Sequence, residues 1–192
     1  MFVHPHRREK STSLLHRNFS HCCTYVKTRL VKQLILPKMD YACTVWDPHH
    51  IGLKRKLESI QKRACKFILR DKYVDYQSAL IMLDLLPSHV RRDAIKLTCC
   101  HKILHNNTGI LPENHFVHRN IRTLRNNNGH QLACERARTD VFKYSFFVKA
   151  PGDWNSLPES IVSESDNSKF KELLHVHLQH KHPNFCEVCN CV

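Results

Sequence analysis

The chain has 192 residues, 42% of them hydrophobic, enough for one domain or a domain with a small appendage. Its 30 Lys and Arg against 17 Asp and Glu give a formal net charge of +13, a field that attracts polyanions, nucleic acid first, and that an acidic protein or an anionic membrane surface would also exploit. Only 4 Gly argue against a sheet-rich or loop-rich protein, the 10 Cys form no regular disulfide framework, and no apolar run approaches the roughly 20 residues of a membrane span.

Residues 1–13 are polar and unpatterned and are expected to be disordered. Met1 to Lys10 is rich in His and Arg and holds no apolar run of signal-peptide length. Together with cysteines that fall inside helical patterns, where a reduced thiol acts as a small hydrophobe, this predicts an intracellular protein of the nucleus or cytoplasm. A helix is predicted from Cys23 to Leu36, with Tyr25, Leu30, Val31, Leu34 and Ile35 recurring at three-to-four spacing, Lys27, Arg29 and Lys32 on other faces, and Pro37 as its stop. Met39 to Trp46 reads as a short helix that buries Tyr41, Val45 and Trp46 and leaves through Asp47-Pro48. Trp46 lies in an apolar run and reads as core rather than as a base-stacking ring.

The clearest periodic element runs from Ile51 to Arg70. Leu53, Leu57, Ile60, Ala64, Phe67 and Ile68 share one face at 3.6-residue spacing, and Lys56, Lys62, Arg63, Lys66 and Arg70 fill the opposite arc, broken only by Ser59. That stripe is the first candidate for phosphate contact, against the plainer reading of a solvated basic face. Tyr76 to Leu85 reads as a short, almost wholly buried helix ended by Pro87. Ser88 can cap the next helix, with Val90, Ala94, Leu97 and Leu104 as its buried line and Arg91, Arg92 and Lys96 pointing away, which adds Arg91 and Arg92 to the candidate contacts. His101 falls on the buried line and reads as a hydrogen-bonded core residue.

From Asn106 to Gln131 asparagines, Gly109 and Pro112 interrupt any pattern, so this is a loop or tether. Val141 to Phe147 reads as a short strand or extended segment, with Trp154 anchoring a turn and Asn155 and Ser156 bonding back to the backbone. Its aromatics, interleaved with basic residues, suit either a core or a single-strand clamp, core preferred, while Arg136 and Arg138 are candidates for phosphate contact. A last helix from Ser168 to Gln179 buries Phe170, Leu173, Leu174 and His177 or Leu178. Beyond it, His180, His182, Cys186 and Cys189 offer two imidazoles and two thiolates, a set that satisfies tetrahedral zinc, although the order is not that of a zinc knuckle; a zinc site and a frayed, reactive tail both stand. The expected architecture is mostly α, an irregular bundle of about five to six helices with a long loop and at most a short two-stranded element. It divides into a helical region over 14–105, a tether over 106–131, a C-terminal region over 132–180 packing on the helical body, and a His/Cys-rich tail over 181–192.

Three blocks carry a resemblance: Tyr41-Ala42-Cys43-Thr44-Val45-Trp46-Asp47-Pro48, Leu86-Pro87-Ser88-His89-Val90-Arg91-Arg92, and Arg136-Ala137-Arg138-Thr139-Asp140 followed by Trp154-Asn155-Ser156-Leu157-Pro158. In this order and separation they resemble the region that follows the catalytic palm in reverse transcriptases of non-LTR retrotransposons, the jockey-like and chicken-repeat-like group, over Leu14 to His180. Gly152 departs from the family's pattern, interrupting what there reads as a short helical run. The resemblance implies a thumb and post-palm region, with an upstream palm as partner in a full-length element, gripping an RNA template or primer–template duplex through its backbone without reading sequence. A polymerase of this kind holds two metal ions on palm carboxylates, typically a Phe/Tyr-Ala-Asp-Asp turn. No adjacent Asp-Asp pair occurs here, and Asp71, Asp75, Asp84 and Asp93 sit singly, so the expectation is a non-catalytic region without a cofactor beyond the zinc considered for the tail. Two other classes stand beside it: a helical protein-interaction module or relic open reading frame with no selected activity, and an enzyme, either a residual polymerase or a nuclease.

Overall fold

The computed structural model describes residues 13–73, 75–118 and 130–181. These are mostly α-helical, and an isolated antiparallel bridge, His118 to Leu132, is the β-pairing found among them. Ten α-helices follow one another from Thr24 to Lys181 among the described residues, more than the five to six expected, because turns and left-handed residues cut the periodic stretches. The chain forms two compact units, residues 13–92 and Asp93–Lys181, divided inside one helix between Arg92 and Asp93. Among the described residues no helix is long and apolar enough to cross a membrane.

In the first unit, helical residues 13–19 (α1) precede α2 (Thr24–Leu30), a π-helical stretch Val31–Ile35, and α3 (Leu36–Asp40). The sequence places a stop at Pro37, yet the coil continues through it. Proline lacks an N–H and its ring collides with the carbonyl four residues back. The π stretch widens the turn just ahead, so the Leu36 N–H reaches the Val31 carbonyl and Pro37 enters in the first turn of α3, where its missing donor costs nothing. The wider turn also shifts the buried face. Val31, Ile35, Leu36 and Met39 are buried, whereas Tyr25 and Leu34 face solvent. Lys27, expected on an outer face, is buried, with its ammonium 5.5 Å from the Phe67 ring centroid, whose π face replaces part of the lost hydration.

Ala42 (φ 50°) is left-handed and separates α3 from α4 (Cys43–Trp46). The break rotates the short helix so that Cys43 enters the core while Tyr41 and Val45 are 78% and 86% exposed. Their expected burial extends one helical wheel across a residue that ends it. Trp46 is partly buried, and its indole N–H donates to the Tyr41 carbonyl.

The longest helix, α5 (Ile51–Leu69), carries the apolar face that the period requires: Leu57, Ile60, Ala64, Phe67 and Ile68 are buried, while Leu53 near its start is not. Each such side chain contributes about 1.5–3 kcal/mol on burial. On the same face, however, sit Glu58 and Gln61, 3% and 0% exposed. α6 (Tyr76–Leu83) packs on α5, with Asp75 capping it by accepting the Ser78 N–H at 3.1 Å. Tyr76, Ala79, Leu80 and Leu83 are buried, but Ile81 and Met82 are exposed, so α6 is half-buried rather than wholly so. Asp84 (φ 49°) ends it, and the Leu85 N–H returns to the Leu80 carbonyl at 2.9 Å.

The next helix, α7 (Ser88–Leu104), begins on Glu58. Ser88 is not the cap expected of it but the first helical residue. Its N–H and Oγ both donate to the Glu58 carboxylate, at 3.0 and 2.6 Å, Tyr76 donates its hydroxyl to the same group, and His89 Nδ1 lies 3.5 Å away. Burial alone would raise the Glu58 pKa, since dehydrating a carboxylate costs several kcal/mol. Hydrogen bonds to a charged group contribute about 1.5–3 kcal/mol each, and those from His89, Ser88 and Tyr76 prevail, holding Glu58 down at about 2. The anion also sits at the positive end of the α7 dipole.

The second unit comprises the rest of α7 with α8 (Asp140–Lys143), α9 (Phe146–Asn155), α10 (Glu159–Val162) and α11 (Asn167–Lys181). Leu97, Cys100, Ile103, Trp154, Phe170 and Leu174 are buried here. His101 is the core histidine expected, stacked on Phe170 at 4.1 Å with Nε2 2.8 Å from the Glu164 carbonyl, and burial keeps its pKa below the ordinary value. Asn155 brackets Leu132, accepting its N–H at 2.9 Å and donating to its carbonyl at 2.8 Å, while Ser156 Oγ donates to the Asp153 carbonyl, as the sequence suggested for both. The stretch Val141 to Phe147 is not a strand. Thr139 caps α8 by accepting the Phe142 N–H, α9 begins just after Ser145, and these short helices override the β-propensity of the aromatics. α9 runs through both Pro151 and Gly152. In α11 Phe170, Leu174 and Leu178 are buried at four-residue spacing, which leaves Leu173, expected inside, 42% exposed.

The Glu58 pKa lies below its ordinary 4.5, so the stability it confers is complete above about pH 4.5 and is lost as pH falls towards about 2. Urea unfolding across that window is expected to show the midpoint of the unmodified chain dropping with acidity. Glu58→Gln, already weakened by roughly 3 kcal/mol at neutral pH because Ser88 and Tyr76 lose their charged acceptor, should give a flatter profile. Parallel profiles for the two proteins would contradict this role.

Candidate nucleic-acid interface

At 100° per residue, the outer arc of α5 holds Arg55, Lys56, Lys62, Arg63 and Lys66. All are exposed except Lys62, which is partly buried, and the polar Ser59 between them bonds its Oγ to the Lys56 carbonyl at 2.7 Å. Arg55 joins the four arc residues expected from sequence, and the same wheel identifies it. From Arg55 to Lys66 the helix rises about 16 Å, long enough to run along several phosphates at one charge per about 3.4 Å of strand. The arc is uniformly cationic because Glu58, the sole acid in α5, faces inward to Tyr76 and Ser88. Lys66 is further placed by the Tyr73 ring, 5.3 Å from its ammonium.

Arg70 is exposed but is not a member of the helical arc. With φ 48° it leaves α5 and opens a 3-10 turn, Arg70–Lys72, so extrapolating the wheel to it fails. Arg91 and Arg92 require a larger correction. Expected to point away from the core, they are its polar ties: Arg91 Nε and Nη2 meet Asp40 at 2.6 and 3.1 Å, and Nη1 donates to Gln61 Oε1 at 2.7 Å. Arg92 is 0% exposed, pairs with Asp47 at 2.6 Å, donates to Ser88 Oγ at 3.1 Å and lies 6.0 Å from the Trp46 ring centroid. Lys96 is likewise buried and pairs with Asp93 at 2.6 Å. All three sit where α7 is covered by neighbours, and each finds a carboxylate because an unpaired buried charge is far costlier than a paired one. Arg136 and Arg138 are exposed, in the coil ahead of α8 in the second unit.

Several carboxylates noted singly in the sequence are thus engaged: Asp75 caps α6, and Asp93 meets Lys96 and, at 4.0 Å, Lys149. Among the described residues no group of three or more His, Cys, Asp or Glu is arranged to hold a metal ion. Of the tail ligands, His180 is an exposed residue of α11, while His182, Cys186 and Cys189 lie outside the described residues. The described cysteines are free thiols. Burial pushes Cys65 and Cys100 up to about 12, so neither supplies a thiolate nucleophile near neutrality. No family model, no curated protein and no solved structure matches the chain.

The two classes of arginine should separate on mutation. Arg92→Ala removes a fully buried guanidinium that pairs with Asp47 and bonds Ser88 Oγ and is expected to lower unfolding free energy by roughly 3–5 kcal/mol, whereas Arg63→Ala should change it by less than about 0.5 kcal/mol. Equal losses in chemical denaturation would show that the buried pairing of Arg92 is misassigned.

Proposed function

We propose that this chain is a nucleic-acid-gripping region of thumb type from a non-LTR retroelement reverse transcriptase, holding an RNA template or an RNA/DNA primer–template duplex by its sugar–phosphate backbone and performing no polymerisation itself. The observation that carries the proposal is the outer arc of α5: five cations on one helical face, with the acid of that helix withdrawn to the other. A net charge of +13 supplies the long-range attraction, and release of condensed counterions supplies sequence-independent affinity. The three motif blocks support the family reading. Arg136 and Arg138, exposed in the second unit, are further candidate contacts, while the half-buried Arg91 and the buried Arg92 act indirectly by fixing α7 against α3, α4 and α5.

A second reading, a helical protein-interaction module, draws support from the exposure of Tyr41, Val45 and Ile81. Salt separates the two, because phosphate contacts weaken steeply with ionic strength and apolar contacts do not.

The test is fluorescence anisotropy with an RNA/DNA duplex, starting at about 50 mM salt, where phosphate contacts are strong. The unmodified chain should bind, and the triple variant K62E/R63E/K66E should bind more weakly, with a salt slope reduced by about one unit for each phosphate it no longer neutralises. Absence of binding at low salt, or an unchanged slope in the triple variant, would overturn the proposal.

A further inference from the structure

We infer that the α8–α9 junction of the second unit is a separate site for unpaired nucleic acid, in which aromatic rings stack on bases and flanking cations meet the phosphates. This goes beyond the α5 reading and stands even if that arc proves inert. Four aromatics, Phe142, Tyr144, Phe146 and Phe147, fall within six residues here, and His115 and Phe116 join Phe146 and Phe147 from an earlier segment. Phe142 and Tyr144 are 46% and 39% exposed, the exposed His115 stacks on Phe147 at 4.1 Å and 15°, and Phe146 lies edge-on to Phe147 at 5.0 Å. Phe116, 4% exposed and 5.7 Å from Phe147, anchors the cluster from within. His115, Phe146 and Phe147 are thus fixed by ring contacts anchored on Phe116, and Phe142 and Tyr144 offer exposed ring surface next to them in sequence. That differs from a closed core, and it differs from scattered surface apolars, which carry no preferred stacking geometry.

The charges identify the occupant. Along the chain from Glu135 to Phe147 three cations, Arg136, Arg138 and Lys143, outnumber two carboxylates, Glu135 and Asp140, the latter in the first turn of α8. Lys143 holds its ammonium over the Tyr144 ring, 5.5 Å from the centroid, so the cation lies on one face of that ring and a base would stack on the opposite one. A base offers a flat π face and its phosphate an anion, the two features that a ring and a cation answer. An apolar protein segment would leave those three cations unanswered. A continuous duplex hides its base faces and could not use the rings, so the site selects single strands.

The probe is a short labelled oligothymidylate, with an abasic deoxyribose-phosphate strand of equal length as the control that keeps the charge and removes the stacking. The chain should bind the thymidylate more tightly than the abasic strand. Phe142→Ala, Tyr144→Ala and His115→Ala should each weaken thymidylate binding roughly tenfold while leaving the abasic strand's affinity unchanged. Tyr144→Phe should retain binding, which rules out loss of fold as the cause. Equal affinity for the two strands, or alanine variants that bind as the parent does, would overturn the inference. K62E/R63E/K66E should keep its preference for thymidylate over the abasic strand, so this site and the α5 arc fail independently.

Discussion

One buried carboxylate organises the first unit. Glu58 lies on the apolar face of α5, where an ion has no place unless its surroundings replace water, and they do so with the Ser88 N–H and Oγ, the Tyr76 hydroxyl and His89. These partners come from α6 and from the first turn of α7, so satisfying a single charge fixes the registers of three helices. Polar ties extend outward from this centre. Ser88 Oγ also accepts from Arg92, which pairs with Asp47, and Gln61, one turn along from Glu58, joins Arg91, which pairs with Asp40. An apolar interface alone tolerates sliding; this network does not, because any shift of register would strand a charge.

The same arrangement sorts the charges of α5. With its acid turned inward, the charged residues on the outer surface of the helix are all cations, and a field of one sign results without any dedicated arrangement of the basic side chains. Stability and the proposed binding surface thus share a cause: the contact that locks α5 to its neighbours is the contact that removes the negative charge from its exposed side.

Legibility in the sequence followed the charge state of buried groups. The apolar period of α5 gave its buried face from Leu57 to Ile68 and its outer lysines, and the position of His101 on an apolar line gave its burial as a hydrogen-bonded core residue. Periodicity treats every arginine as a surface residue, and so it misplaced Arg91 and Arg92. Their carboxylate partners lie 51 and 45 residues away in sequence, beyond any local pattern. Asp47 and Arg92 belong to two of the three motif blocks, and in the fold they meet as a largely buried ion pair beside Trp46. The errors at Tyr41, Val45 and Arg70 have a different origin, residues with positive φ that end one helical wheel and begin another.

The most direct test of the two-faced α5 is lysine acetylation read by mass spectrometry, with and without an RNA/DNA duplex. Lys56, Lys62 and Lys66 should react readily in the free protein and be protected by the duplex, while Lys27 and Lys96, buried in their units, should react slowly in both conditions. Equal reactivity of all five lysines, or α5 lysines indifferent to the duplex, would contradict the account.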